Sequence, residues 1–170
     1  MAAGATYTPI ATYTVGTATA TIDFTSIPST YTDLHLVINA GFSAAYDLRF
    51  RINGSSLSIY SQTYLYGTGT GAGSARETSS ARTYGQLDYY GAPSTNLAYA
   101  NQLVDFMNYS NATTYKTFLC RANRADSGTD AIVGLVQTTS AINQITLYCG
   151  SNQGNFITGS TATLYGIAAA

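Results

Sequence analysis

Charged residues are scarce in this chain. Asp, Glu, Lys and Arg make up 9% of its 170 residues and leave a formal net charge of −1, whereas ordinary soluble domains carry charge at about a quarter of their positions. Seven Lys plus Arg give no basic surface of the kind that binds nucleic acid. No basic amphipathic stretch is present, and no apolar run approaches the roughly 18 residues of a membrane-spanning helix. We therefore expect neither nucleic acid nor a membrane among the partners of this chain.

Histidine and cysteine, on which many metal sites and nucleophilic enzymes depend, are also rare. The single histidine, His35, lies between two leucines in a strongly apolar segment, which predicts a hydrogen-bonded structural residue and not a catalytic base. Cys120 and Cys149 lie in separate apolar stretches and are predicted to be reduced and buried. The Gly-x-Ser-x-Gly sequence of many hydrolases does not occur. These observations predict a protein that is not an enzyme, with no catalytic residues, no cofactor and no zinc.

Two segments have some of the composition of ligand sites. Between Asp126 and Asp130, two carboxylates and two hydroxyls could face a cation, but the alternating ligands and terminal Glu of an EF-hand are missing. A plain turn is the favoured interpretation there, with the question of a cation left open. Residues 67–73 are as glycine-rich as a phosphate-binding loop, but the Lys-Ser/Thr pair that must follow is absent. We predict a flexible hairpin loop in that segment.

Tyrosine and threonine are abundant by contrast, with 15 and 26 residues, and both favour β-strands. Apolar and polar residues alternate with a period of two in most segments. The alternation is clearest over residues 47–53, where Leu48, Phe50 and Ile52 form the apolar side, and Asn53-Gly54 then predicts a tight turn. No segment keeps a helical apolar stripe for more than about two turns. The pattern predicts an all-β, antiparallel sandwich or barrel with few or no helices, formed by one domain over residues 1–170.

The predicted strands are short and separated by turn residues. They cover residues 6–15, 20–24, 34–40, 47–53, 58–66, 82–89, 101–109, 117–121, 132–137, 144–149 and 162–167. Three of them, at 34–40, 103–107 and 132–136, are apolar on both faces. Strands of that kind are found at the centre of a sandwich or beneath a partner subunit.

Exposed tyrosines are the surface feature with the clearest binding potential. They can stack on sugars or anchor a protein interface, or they can simply cap strand ends and fill the edge of the sandwich. The candidates are Tyr64, Tyr66, Tyr89, Tyr90, Tyr99, Tyr109 and Tyr115. An edge strand near the start of the chain is a second candidate, because unpaired backbone invites a partner. The predicted partner-contact residues are therefore Tyr7, Pro9 and Tyr13 in the N-terminal segment 1–15, a candidate extended docking segment, together with Tyr89 and Tyr90.

Several motifs together resemble one known family. They are Ser-Ile-Pro-Ser-Thr-Tyr-Thr-Asp-Leu at 26–34, Leu-Arg-Phe at 48–50 before Asn53-Gly54, Tyr-Leu-Tyr-Gly at 64–67, and Met-Asn-Tyr-Ser-Asn-Ala-Thr-Thr-Tyr-Lys-Thr at 107–117. The end of the chain adds Ile-Asn-Gln-Ile-Thr-Leu-Tyr at 142–148, Asn155-Phe156 and Gly-Ser-Thr-Ala-Thr-Leu-Tyr-Gly-Ile at 159–167. From about residue 6 to 167, the chain resembles structural proteins of tailed-bacteriophage virions. The family motifs carry no catalytic residues.

This resemblance implies a jelly-roll-like β-sandwich in the virion, assembled in the host cytoplasm; the first residues also lack the basic and apolar regions of a secretory signal. It favours a capsid decoration (cement) protein, acting as a homotrimer on the major capsid protein or other virion proteins. The alternative is a host-recognition module of a tail or head fibre that binds a surface glycan. An enzyme of the cell envelope is the third and weakest hypothesis, because it depends on fold analogy alone.

Overall fold

The structure is a computed structural model, and it describes residues 6–78, 82–93, 95, 99–152 and 154–168. In these residues there are twelve β-strands and a single short 3-10 helix, at Gly150–Asn152. The strands are β1 (Tyr7–Thr14), β2 (Thr21–Phe24), β3 (Asp33–Ala40), β4 (Leu48–Ile52), β5 (Tyr60–Gly67), β6 (Ala72–Glu77), β7 (Gly85–Gln86), β8 (Ala100–Met107), β9 (Lys116–Arg124), β10 (Gly128–Val136), β11 (Ile145–Cys149) and β12 (Thr161–Ile167).

The strands form two antiparallel sheets that face each other. The larger sheet has the order β1-β12-β3-β8-β9-β10-β5-β6, and the smaller one has the order β2-β11-β4-β7. The predicted all-β sandwich is confirmed. The central strands pair in the nested order of a jelly roll. The larger sheet contains the pairs β1 with β12 and β3 with β8, and the smaller sheet contains the pairs β2 with β11 and β4 with β7. Two additional hairpins, β5–β6 and β9–β10, extend the larger sheet beyond β8.

The alternation in the sequence sets the faces of the strands. In β4, Leu48, Phe50 and Ile52 are buried while the arginines between them are half-buried. The predicted turn after this strand is present, since Asn53 and Gly54 have φ values of 50° and 66°. Both residue types tolerate that left-handed backbone. In the strands that have buried residues, the buried face therefore lies between the sheets, as the period of two predicts.

Aromatic rings join the two sheets at the centre of the core. Phe50 of the smaller sheet meets Phe106 and Phe118 of the larger sheet edge-on, with ring centroids 5.2 Å and 5.0 Å away. Phe118 lies directly opposite Gly134 of β10. A Cβ atom at Gly134 would come within 2.0 Å of the Phe118 ring. The ring therefore occupies the space that any side chain at position 134 would need.

Two sequence-based predictions are wrong in detail. Residues 82–89 do not form one long strand: only Gly85–Gln86 pair with β4, and side chains bind the backbone that follows. The flexible loop predicted at 67–73 is shorter than expected, because Ala72–Glu77 pair with β5 as β6. Small residues and glycines weaken the alternation in this segment, so its strand becomes visible only from its pairing with β5.

Candidate functional site

The outer face of the larger sheet carries a row of exposed apolar side chains, which we call the outer strip. It consists of Leu65, Leu119, Ala131 and Val133 on β5, β9 and β10. Leu119 lies directly opposite Val133, and Ala131 lies directly opposite Leu65. The exposed fractions of Leu65, Leu119 and Val133 are 61%, 44% and 46%. Arg121 of β9 lies opposite Ala131, and Thr63 of β5 lies opposite Val133, so the strip consists of two neighbouring apolar pairs flanked by polar side chains. Exposed apolar side chains grouped in this way make the strip a candidate interaction surface.

Only Val133 of the outer strip lies in one of the three strands that the sequence showed to be apolar on both faces. The inner faces of these three strands are buried between the sheets, and the residues on their outer faces are half-buried or exposed. Val37 of β3 lies opposite Leu103 of β8 and forms a further apolar pair, which Arg121 of β9 separates from Ala131. Contact of these outer faces with a partner subunit stays a prediction.

His35 lies on the same outer face, two strands away from Leu119, and is hydrogen-bonded as its sequence context predicts. Its Nδ1 lies 2.6 Å from Oδ1 of Asp105, its direct neighbour on β8. The ring of Tyr7 packs edge-on against His35, with the centroids 5.6 Å apart. This contact joins edge strand β1 to the outer face of the sheet.

The predicted contact residues near the start of the chain lie on an open edge. Strand β1 pairs only with β12 in the described structure, so its other side is free for a partner strand. Tyr7, Pro9 and Tyr13 are all exposed there. A bulge follows Pro9, and proline is tolerated at this position because an edge strand can do without its N–H. Residues 1–5 of the candidate docking segment lie outside the described residues, and contact with a partner stays a prediction.

Tyr89 and Tyr90, the other predicted contact residues, belong to a group of rings that the sequence alone did not bring together. The tyrosine cluster consists of Tyr64, Tyr66, Tyr89 and Tyr90. The ring of Tyr89 lies 4.5 Å from Tyr64 and 5.2 Å from Tyr66, and the ring of Tyr90 lies 4.7 Å from Tyr66. Tyr89 and Tyr90 remain 43% and 37% exposed. Tyr64 is buried, and so is Tyr109, which donates a hydrogen bond to the Pro28 carbonyl; neither of these two predicted candidates is available to a partner.

Side chains of the larger sheet hold the backbone beside the cluster. We call residues 86–91 the tethered segment. The carboxylate of Asp130 is buried and accepts hydrogen bonds from the backbone N–H groups of residues 89, 90 and 91, at 2.7–3.1 Å. Gln62 accepts one from the N–H of Gln86, and the Cys120 thiol donates one to the Leu87 carbonyl. Only Gln86 of this segment belongs to a strand, and at residues 89–91 the bonds to Asp130 take the place of strand pairing.

An open groove of about 370 Å³ runs along the tethered segment, and we call it the tyrosine groove. Charged groups lie beside the rings of Tyr89 and Tyr90. Asp47 binds Arg49 through both carboxylate oxygens, at 2.5 Å and 3.1 Å. Arg124 donates to Asp126 at 2.7 Å and to the Ala92 carbonyl at 2.8 Å. The residues that line the groove are Ala45, Tyr46, Asp47, Gln86, Tyr89, Tyr90, Ala92, Pro93, Arg124 and Ser127.

The turn between β9 and β10 separates the two carboxylates that could have faced a cation. Asp126 binds Arg124 on the surface, while Asp130 is already inside β10 and bound to the tethered segment. In the part of the chain that the structure describes, no group of three or more His, Cys, Asp or Glu side chains could hold a metal ion. This arrangement agrees with the favoured interpretation of a plain turn.

Burial sets the pKa of the two thiols and of one carboxyl group. Cys120 and Cys149 are free and buried, as predicted. Burial raises the pKa of the Cys120 thiol well above its usual value and that of Cys149 to about 11, so neither is a thiolate near neutral pH. Asp88 is fully buried, and burial raises its pKa well above the usual value, although the Leu48 N–H donates to it at 3.0 Å. The carboxylates of Asp47 and Asp130 raise it further.

Sequence reasoning missed a second pocket, on the outer face of the smaller sheet. It has a volume of about 220 Å³, and Arg51 and Tyr148 contribute to its lining. The Arg51 guanidinium lies 5.0 Å from the centre of the Tyr148 ring. Burial raises the pKa of Tyr148 to about 12, and among the described atoms its hydroxyl has no hydrogen-bond partner. That hydroxyl is enclosed by protein, so the pocket offers a ligand fewer accessible polar groups than its lining suggests.

Comparisons with known proteins do not place the chain in a family. None of its described helical residues forms a segment long and apolar enough to cross a membrane. The chain matches no protein-family model, no curated protein and no solved structure.

Proposed function

We propose that this chain is a non-enzymatic capsid decoration protein that acts as a homotrimer on the shell of a bacteriophage virion. The observation that carries the proposal is the outer strip, an apolar surface on a sheet face that the chain itself leaves uncovered. The assignment to a phage capsid is based on the resemblance of the sequence motifs. The outer strip is the surface through which we propose that the chain binds the shell. The proposed occupant of the strip is a shell subunit.

The physical mechanism is binding linkage. A subunit that binds only the assembled shell stabilises that shell by its own binding free energy. Three linked copies turn a modest contact into a durable one, because the second and third contacts form at high local concentration. The net charge of −1 supports this arrangement, since many copies can lie side by side without accumulating repulsion.

The central test compares virions with and without the protein. We expect shells stripped of it to rupture at a lower temperature, and added protein to restore the original value. We expect light scattering to give three times the 17.9 kDa chain mass for the free protein. An unchanged rupture temperature, together with lost adsorption to host cells, would rule out the decoration role.

Two substitutions on the same strand test the outer strip itself. Leu119→Glu places a charge in the strip, and we expect binding to stripped shells to weaken about tenfold or more, which corresponds to about 1.4 kcal/mol. Asn123→Glu adds the same charge on the same face of β9, beyond the strip, and we expect it to bind as the parent does. Equal binding by both variants would show that the outer strip is not the docking surface.

A further inference from the structure

The tyrosine groove has features of a ligand site that the docking role does not use. Tyr89 and Tyr90 present partly exposed rings, and Tyr64 and Tyr66 support them from behind with ring centroids 4.5–5.2 Å away. Aromatic rings at these distances pack favourably, so each exposed ring rests on another ring. The groove thus has an aromatic floor whose positions are set by packing.

The backbone beneath this floor is fixed as well. Asp130 is 3% exposed and holds three consecutive N–H groups of the tethered segment. Hydrogen bonds to a charged group are stronger than those between neutral groups. Ser127 donates a further hydrogen bond to the Tyr90 carbonyl at 2.9 Å. A ligand that binds here therefore has little backbone ordering to perform, which lowers the entropic cost of binding.

The walls of the groove supply polar groups with remaining hydrogen-bonding capacity. Each carboxylate oxygen of Asp47 accepts one hydrogen bond from Arg49, and each has a second lone pair. The Arg124 guanidinium, which also belongs to the lining, presents planar N–H donors. Asp47 and Arg124 carry opposite charges, and each is paired with a partner of its own, Arg49 or Asp126. The walls therefore do not select a charged ligand.

We propose that the tyrosine groove binds a hexopyranose unit of a surface polysaccharide. A pyranose ring has an apolar C–H face, which stacks on tyrosine rings, and an edge of vicinal hydroxyls, which both donate and accept hydrogen bonds. Tyr89 and Tyr90 meet the first requirement, and Asp47 and Arg124 meet the second. The volume of about 370 Å³ is at the small end of ligand pockets, which suits one or two sugar units. Such a site would make the chain a host-recognition module in addition to a shell component.

The experiment uses the intact chain and defined sugars. An array of bacterial surface polysaccharides identifies the preferred glycan, and saturation-transfer NMR with methyl glucoside, methyl galactoside and methyl N-acetylglucosaminide reports direct contact. We expect the parent protein to bind and Tyr90→Ala to lose binding about tenfold or more. Tyr90→Phe keeps the ring and should retain most of the affinity. Tyr115→Ala removes a ring that is 53% exposed outside the groove, so we expect it to bind as the parent does.

Each other outcome contradicts the proposal. No binding on the array, undiminished binding by Tyr90→Ala, or equal loss in Tyr115→Ala excludes a sugar site in the groove. If Tyr90→Ala loses affinity for virion shells and no glycan binds, the groove is a protein interface. Leu119→Glu separates this proposal from the docking role, because it should weaken shell binding and leave glycan binding unchanged. Far-ultraviolet circular dichroism of each variant shows whether the sandwich is intact.

Discussion

The contact between Gly134 and Phe118 leads to the sharpest stability prediction. An alanine at position 134 would place its Cβ atom 2.0 Å and 2.1 Å from two carbons of the Phe118 ring, far inside van der Waals contact. Phe118 cannot simply move away, because its other side meets Phe50 and Phe106 in the buried core. Forcing additional atoms into a packed core costs about 1–3 kcal/mol. For a chain of this length, that cost lowers the melting temperature by about 2–12 °C.

The assay is chemical denaturation of the Gly134→Ala variant against a glycine control. Gly16→Ala is suitable, because a Cβ atom there meets nothing within 4 Å and the residue is not in the left-handed region. The Gly16→Ala control measures the gain in stability that an alanine brings by lowering the entropy of the unfolded chain, in the absence of a steric clash. We expect Gly134→Ala to be about 1–3 kcal/mol less stable than this control.

A double mutant tests the cause of the loss. Phe118→Leu removes the ring, so Gly134→Ala should cost much less stability in that background. The double mutant should therefore lose less unfolding free energy than the two single mutants lose together. If Gly134→Ala matches the Gly16→Ala control, or if the double mutant shows full additivity, a clash with Phe118 is not the reason for the glycine.

Three further predictions concern buried polar groups. Because the folded state raises the pKa of Asp88, the folded chain holds a proton that the unfolded chain releases, and stability falls as the pH rises above about 4. Asp88→Asn removes this fall, so urea denaturation should show that the stability of the variant relative to the parent is higher at pH 8 than at pH 4. An identical difference in stability at both pH values would refute the argument. Cys120 and Cys149 should react slowly with a thiol reagent at pH 8 and rapidly in denaturant, and fast labelling of the native protein would contradict their burial. Tyr109→Phe removes a buried hydrogen-bond donor and should cost about 1–3 kcal/mol in a denaturant titration, with no loss expected if water replaces the hydroxyl.

The period of two was sufficient to predict the sandwich, because a strand with one buried face shows that face in its sequence. Strand β4 demonstrates this: its three buried residues alternate with two arginines, and its predicted bounds differ from the observed ones by one residue at each end. The same reasoning failed at residues 82–89. There the side chains of Gln62 and Asp130 take over the hydrogen bonds of the backbone, and both lie far from the segment in the sequence.

The candidate sites were predictable only in part, for a related reason. The sequence identified Tyr89 and Tyr90 as contact candidates, but their packing on Tyr64 and Tyr66 depends on how the tethered segment crosses the larger sheet. Of the outer strip, only Val133 lies in a strand that the sequence showed to be apolar on both faces. Which residues of the strands in the strip are neighbours follows from strand register, and register between distant strands is not encoded in any one segment.

The way in which Asp130 holds its three partners has a consequence for how this protein can change over time. It binds the main-chain amides of residues 89–91, and a main-chain amide is the same for every residue except proline. The side chains at 89 and 90 can therefore be exchanged while these three bonds stay in place. In this respect the segment resembles a hypervariable loop on an antibody domain, where the framework fixes the backbone and leaves the displayed side chains open to selection. A lineage that meets new surfaces could alter what this patch recognises without having to rebuild the sandwich beneath it.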